Sequence, residues 1–287
     1  MTNTLRVSFP QWQGGNRPEY YLGAQLLDFL APKTTQETLY IPVSQESTAE
    51  TKKDGIVAKE QLLSQTKIAL EKIGSKNPDK LVILGGDCSV DLAPFAYLLE
   101  KYGPEKTGIL WIDSHMDIFT PETFENYHAM VVTSLLGEGD KDFANLVAQK
   151  LQPDNIVYAG INDPSEKNRE LYDKYRFKTF DKKEVEDTPN LIVKALKERG
   201  IEHLMIHFDL DVLSLNEFRA TYFAELPIYD KSRQHLPEAT SLKGVVNLIQ
   251  EADKAFNLVG LGITEHLPWD AIILQKMLAE LPLISES

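Results

Sequence analysis

Along the chain, short runs rich in apolar residues alternate with longer stretches whose apolar residues recur at helical spacing. The short runs read as strands: Leu5 to Phe9, Thr38 to Val43, Lys80 to Leu84, Thr107 to Ile112, Asn155 to Ala159, Phe177 to Phe180, Glu202 to Phe208 and Leu258 to Ile263. A run such as Gly108 to Ile112, with no polar residue to present to water, fits a strand buried on both faces. The longer stretches read as helices over Pro18–Leu30, Val57–Ile73, Ser89–Tyr102, Ala129–Leu136, Asp142–Lys150, Pro164–Tyr175, Pro189–Arg199, Leu242–Phe256 and Trp269–Leu281. Pro32, Gly103, Pro104 and Gly200 supply stops between them. This alternation predicts an α/β fold, a three-layer α/β/α arrangement with a central, mainly parallel sheet of about eight strands. No linker, internal repeat or low-complexity tract interrupts the pattern, so residues 1–287 are expected to form a single domain.

Three of the strands hand over at once to residues a hydrophobic core cannot use. Thr107 to Ile112 runs into Asp113, Ser114, His115, Met116 and Asp117, and Glu202 to Phe208 runs into Asp209, Leu210 and Asp211. Lys80 to Leu84 meets Gly85, Gly86, Asp87, Cys88 and Ser89. With a side-chain period of two, Asp113, His115 and Asp117 share one side if the strand continues, and can still converge if it opens into a loop. Open parallel sheets bind ligands beyond the carboxyl ends of their strands. Carboxylates grouped with an imidazole suit Mn, Fe or Zn. The competing reading makes these residues turn caps and solvated loop positions; their recurrence at three strand ends weighs against it.

In this order, the Gly-Gly-Asp-x-Ser element ending at Ser89, Asp113-x-His115-x-Asp117 and Asp209-x-Asp211 resemble the ureohydrolase superfamily, which contains arginase, agmatinase and formiminoglutamase. The likeness extends to Asn126 through Met130 and to Glu265, and spans the chain from about Leu81 to Asp270. It implies an arginase-like fold and two divalent metal ions, Mn2+ foremost with Zn2+ or Fe2+ as alternatives. By that resemblance Asp113 and Asp209 would bridge the ions, His115 and Asp211 would complete one position, and Asp117 with Cys88 the other. The ions would lower the pKa of a shared water from about 15.7 towards ~7, giving a bridging hydroxide as nucleophile for a guanidino or amidino C–N bond. His128 matches a proton-shuttling histidine. Glu265 matches a glutamate that holds the guanidinium or amidinium through a charge-assisted pair. Family members often self-associate, so a homo-oligomer is expected by analogy.

The departures bear on metal and substrate. The family's usual element is Gly-Gly-Asp-His-Ser, and Cys88 occupies the histidine position. A thiolate suits zinc or iron better than manganese. Cys88 is thus a metal ligand, the mark of a weakened or lost metal position, or a small buried thiol. Arginases carry an asparagine two residues beyond the third motif acid and a serine before the shuttle histidine, both holding the amino-acid end of arginine. Here the first is Phe119, and the segment before His128 has no serine, so free arginine is not the expected substrate. The Asp-Pro that usually follows the second acid pair is replaced by Ser214-Leu215. Asn126, and Arg219 with Arg233 for an anionic group, are the remaining substrate-contact candidates.

Composition narrows the classes further. Lysine and arginine total 30 against 43 acidic residues, a formal charge of −13, which is the wrong sign for a phosphate backbone; nucleic acid is not an expected partner. No apolar run reaches the ~18–20 residues of a membrane span, and the N-terminus has no signal-peptide core. One cysteine excludes an intrachain disulfide, and a cytoplasmic protein acting on a small guanidino or amidino molecule is the expectation. Two other readings keep the fold: a deacetylase-like amide hydrolase, and a metal-depleted member without catalysis. Retention of Asp113, Asp117, Asp209 and Asp211 favours the guanidino or amidino hydrolase.

Overall fold

Successive residues along the strands feed two different cores. On one face Val7, Ile83, Trp111, Tyr158 and Met205 join one apolar cluster. On the other, Leu84, Ile112, Ala159, Phe208 and Ile263 join a second. This is the signature of a sheet covered on both sides. The computed structural model describes residues 3–46, 51–161, 166–224, 240–269 and 271–284. Its strands are β1 (Thr4–Phe9), β2 (Glu37–Tyr40), β3 (Lys52–Lys53), β4 (Ile56–Val57), β5 (Lys80–Gly85), β6 (Thr107–Ile112), β7 (Ile156–Ala159), β8 (Lys178–Phe180), β9 (His203–Asp209) and β10 (Asn257–Thr264). Eight of them form one sheet in the order β2-β1-β5-β10-β9-β6-β7-β8, every recorded pairing parallel, while β3 and β4 make a small antiparallel pair.

The helices are α1 (Glu19–Leu30), α2 (Lys59–Lys76), α3 (Leu92–Tyr102), α4 (Val131–Leu135), α5 (Lys141–Ala144), α6 (Arg169–Tyr175), α7 (Lys182–Asp187), α8 (Pro189–Lys197), α9 (Leu242–Ala255) and α10 (Ala271–Glu280). Leu62 and Ile73 of α2 and Phe95 and Leu98 of α3 pack on the first face. Leu27 of α1, Leu196 of α8, Leu248 of α9 and Leu274 of α10 pack on the second. The fold is the three-layer α/β/α arrangement that the alternation predicts.

Local differences have local causes. The helix expected over Asp142–Lys150 is one turn, α5: the Lys150 ammonium binds the carbonyls of Ala144 and Val147, and Leu151 is drawn to the Leu135 carbonyl at 2.9 Å. Val57 pairs in β4 rather than opening α2. The helix expected from Ala129 begins as a 3-10 turn over Tyr127–Met130 before α4, and α6 begins only at Arg169, after a 3-10 turn over Glu166–Asn168; the residues before it at 164–165 lie outside the described ones. Helix α7, not expected, is started by a reciprocal pair in which Asp181 accepts from the Glu184 amide and Glu184 accepts from the Asp181 amide, both at 2.8 Å.

Candidate metal and active site

The four central strands β5, β10, β9 and β6 deliver the candidate residues from their carboxyl ends. Cys88 lies just beyond β5, Glu265 just beyond β10, Asp209 closes β9 and Asp113 follows β6. Strands β5 and β6, neighbours along this stretch of chain, are separated in the sheet by β10 and β9. Such a departure from sequential order opens the crevice in which α/β sheets bind ligands.

The turn after β5 admits only glycine at Gly86, where a Cβ would stand 1.8 Å from the carbonyl oxygen of Gln11. The Gly86 amide donates to the Phe9 carbonyl at 3.0 Å, and its own carbonyl accepts from the Glu265 amide at 2.7 Å. Asp87 then accepts from the amides of Ser89 at 3.0 Å and Gly15 at 2.8 Å, capping the short 3-10 helix Cys88–Asp91. These bonds aim Cys88 inward, with Sγ 3.2 Å from Asp209 Oδ2 and 3.5 Å from Glu265 Oε1. Burial, and then the charge of Asp209, push this thiol well above its ordinary range.

Beyond β6, Asp113 is fully buried and accepts from Trp111 Nε1 at 3.0 Å and from the His115 amide at 2.6 Å. His115 Nδ1 reaches Asp211 Oδ2 at 3.0 Å. Asp117 and Glu265 both adopt left-handed backbone, with φ of 50° and 66°. That conformation costs a residue with a Cβ of order 1–3 kcal/mol and is found where surrounding structure needs the side chain in one place. Here it directs both carboxylates into the same crevice.

Several of these carboxylates repel one another. Burial and then Asp113 push Asp117 up to about 8, and burial and then Asp211 hold Asp209 well above the carboxylate range. Asp117 Oδ2 is buried with no hydrogen-bond partner. Buried, mutually repelling acids with an orphaned oxygen suit bound cations. The geometry fits as well: ligand atoms of Cys88, Asp113, Asp117 and His207 all lie within 4.8 Å of one another, and so do those of Asp113, His115 and Asp211, and of Cys88, Asp209 and Glu265. A further acidic group, Asp54, Asp140 and Asp142, is already filled by the Lys59 ammonium, 2.7 Å from each.

Above the acids lies a cavity of about 250 Å³. Cys88, His115, Asp117, Asp209 and Asp211 line its floor together with His128 and Glu265, whose Nδ1 and Oε1 are 3.1 Å apart. Burial alone would lower the His128 pKa, but the hydrogen bond and charge of Glu265 reverse this and raise it to about 9. The walls are aromatic: Tyr20, Phe119, Phe124, Tyr222 and Phe223. Among the described residues, no lysine or arginine lines it.

Two expected substrate contacts do not reach the cavity. Arg219 is exposed, and its Nε donates to the Leu215 carbonyl at 3.0 Å. Asn126 precedes the 3-10 turn that carries His128 and lies outside the lining. Arg233 lies outside the described residues. One residue in the cluster went unread in the sequence. His207 is the sole polar side chain among Leu204 to Phe208, and it stands two positions before Asp209 and hence on the same face of β9. That phase was its only signal.

The sequence model described as the Arginase family matches residues 31–225. The arginase of Staphylococcus aureus (strain COL) is 28% identical over 210 residues, 65% of this chain and 68% of that protein. The arginase of Entamoeba histolytica is 26% identical over 199 residues, 66% of this chain and 62% of that protein. Among solved structures, the E. histolytica arginase in complex with L-ornithine superposes with a TM-score of 0.82 at 18% identity, covering 98% of this chain and 96% of that one. Native Bacillus caldovelox arginase gives 0.83 at 17% identity, covering 100% and 99%. Formimidoylglutamase from Bacillus subtilis gives 0.68 at 13% identity, covering 97% and 85%. The chain belongs to the arginase family.

Proposed function

We propose that this protein is a metal-dependent hydrolase of a guanidino or amidino C–N bond, acting on a small molecule other than free arginine. The observation that carries the reading is the convergence of Asp113, His115, Asp117, Asp209 and Asp211 beneath a cavity closed by the His128–Glu265 pair. Cys88, Asp113 and Asp117 would hold one divalent ion, and Asp113, His115, Asp209 and Asp211 the second. Bound there, the ions would supply Lewis acidity and a water acidified from about 15.7 towards ~7.

The chain's own groups account for the remaining work. A guanidinium or amidinium is a planar cation, and it meets an acidic floor and aromatic walls, both of which attract cations. Glu265 orients the substrate's N–H groups through a charge-assisted contact. His128, protonated through Glu265, lines the cavity where it can give its proton to the departing nitrogen as the C–N bond breaks. With Phe119, Phe124, Tyr222 and Phe223 as walls and no lysine or arginine among the described lining residues, the far end of the substrate is apolar or aromatic rather than an α-amino acid.

The test is a panel of guanidino and amidino compounds assayed for urea, ammonia or formamide-type release by manganese-loaded protein. Turnover of an aryl- or alkyl-substituted compound, absent in Asp113→Ala and weak or absent with L-arginine, is the expected result. Turnover of acyl-amides alone would favour the deacetylase-like reading, and no turnover of either class would favour a non-catalytic family member.

A further inference from the structure

We propose that His207 is a metal ligand through Nε2, completing with Cys88, Asp113 and Asp117 a four-donor metal position of mixed sulfur, nitrogen and oxygen character. The inference rests on the metal-dependent reading above and adds to it a residue that the motif pattern does not contain.

Neighbours on both sides fix the ring. His207 is fully buried in the middle of the sheet, directly across from Trp111 on β6 and from Gly262 on β10. The Trp111 indole stacks on the imidazole at 3.7 Å between centroids, with 14° between planes. On the other side Gly262 has no side chain; a Cβ there would stand 2.1 Å from Asp91 Oδ2. The gap admits Asp91, whose Oδ2 lies 2.7 Å from His207 Nδ1. The ring is thus held in plane by Trp111 and in rotation by Asp91.

Its other nitrogen is unused. His207 Nε2 is buried with no hydrogen-bond partner, and its nearest carboxylate, Asp113 Oδ2, is 3.9 Å away, too far for one. Asp113 Oδ2 takes the Trp111 N–H at 3.0 Å instead. A histidine kept only as a counter-charge for Asp91 would have no reason to point an unsatisfied nitrogen at three further ligand groups. The four donors lie within 4.8 Å of one another, close to the roughly 4–4.6 Å that separates donors on opposite sides of one first-row ion. A carboxylate on one imidazole nitrogen with the metal on the other is the arrangement that sets tautomer and basicity at metal sites.

The arrangement also accounts for Cys88. The imidazole absent from position 88 is supplied by β9, two strands away in the sheet, and the thiol adds a soft donor beside it. Such a set favours Zn2+ or Co2+ over Mn2+ at this position.

The experiment compares wild type with His207→Asn, whose amide nitrogen keeps a donor near Asp91 but leaves nothing at Nε2. Metal-free proteins are titrated with Co2+ and followed by calorimetry and by the thiolate-to-cobalt absorption band. The expected result is two Co2+ per chain in wild type, and at least tenfold weaker binding, with an altered band, at the sulfur-containing position in the variant. Unchanged affinity and spectrum with a lowered melting midpoint would overturn the proposal and leave His207 a purely structural partner of Asp91. If His207→Asn does not fold, a crystal structure of Zn2+-loaded wild type decides: an ion ~2.0–2.3 Å from Nε2 supports the assignment. Two bound ions, both beyond ~3 Å from Nε2, overturn it while sparing the metal-dependent reading. A protein that binds no divalent ion overturns both.

Discussion

Cys88 Sγ lies 3.2 Å from Asp209 Oδ2, joining the turn after β5 to the end of β9 across the intervening β10. The thiol donates to the carboxylate, and under the proposed function both would be ligands of a bound ion. A thiolate prefers softer ions than an imidazole does. Cys88→His is therefore expected to bind Mn2+ more tightly than wild type and Zn2+ less tightly. Competition titrations of the two proteins measure this, and an unchanged Zn2+ to Mn2+ affinity ratio would count against Cys88 as a ligand.

Glu265→Gln removes one charge from the His128–Glu265 pair and from the substrate contact while keeping the shape of the side chain. The backbone stays anchored, because the Glu265 amide still donates to Gly86 at 2.7 Å. Loss of a charged hydrogen bond of about 1.5–3 kcal/mol lowers kcat/KM roughly 10- to 150-fold. Steady-state kinetics with the best substrate of the panel, beside an unchanged circular dichroism spectrum, checks it.

In the metal-free protein the contribution of Asp117 to stability should be smaller at neutral than at acidic pH. Burial and Asp113 raise Asp117 from 3.8 to about 8, so the folded state binds this proton more tightly than the unfolded chain. The contribution is full below about 4 and is lost as pH rises through about 8. Divalent ions cancel the repulsion, so the gain in melting midpoint on adding metal should be larger at about pH 8 than at about pH 6. Thermal melts with and without metal at both values test the sign.

Away from the site, Lys59 is the point at which the first core meets charge. Its ammonium binds Asp54, Asp140 and Asp142 at 2.7 Å each, and both Lys59 and Asp140 are nearly buried, with side-chain exposures of 2% and 7%. Lys59→Met strands Asp140 while Asp54 and Asp142 stay hydrated, at an expected cost of ~3 kcal/mol. Denaturant unfolding measures it. Gly86→Ala is expected to be more damaging, since its Cβ would meet a backbone carbonyl at 1.8 Å; soluble yield and melting midpoint are the readouts.

The middle of the sheet was legible because β5, β6, β7, β9 and β10 are largely apolar runs with distinct ends, and β5, β6 and β9 all proved to hand over to the residues that gather in the crevice. Their order in the sheet was not legible: nothing in the sequence places β10 and β9 between β5 and β6. The acids at 113, 117, 209 and 211 stood out because a core excludes unpaired carboxylates. His207 did not, because a single histidine inside an apolar strand reads as a satisfied core residue until the geometry exposes its free nitrogen. Nor did the sequence show that Arg219, after β9, would be exposed with its Nε on the Leu215 carbonyl, a local turn contact that no spacing signals.

Everything proposed for this crevice depends on its holding two divalent ions. Calorimetric titration of metal-free protein with Mn2+ and, separately, Zn2+ addresses it directly. The account predicts two ions per chain in wild type and the loss of at least one in Asp209→Asn. Wild-type protein that takes up neither ion, or an Asp209→Asn variant that binds both as wild type does, would contradict it.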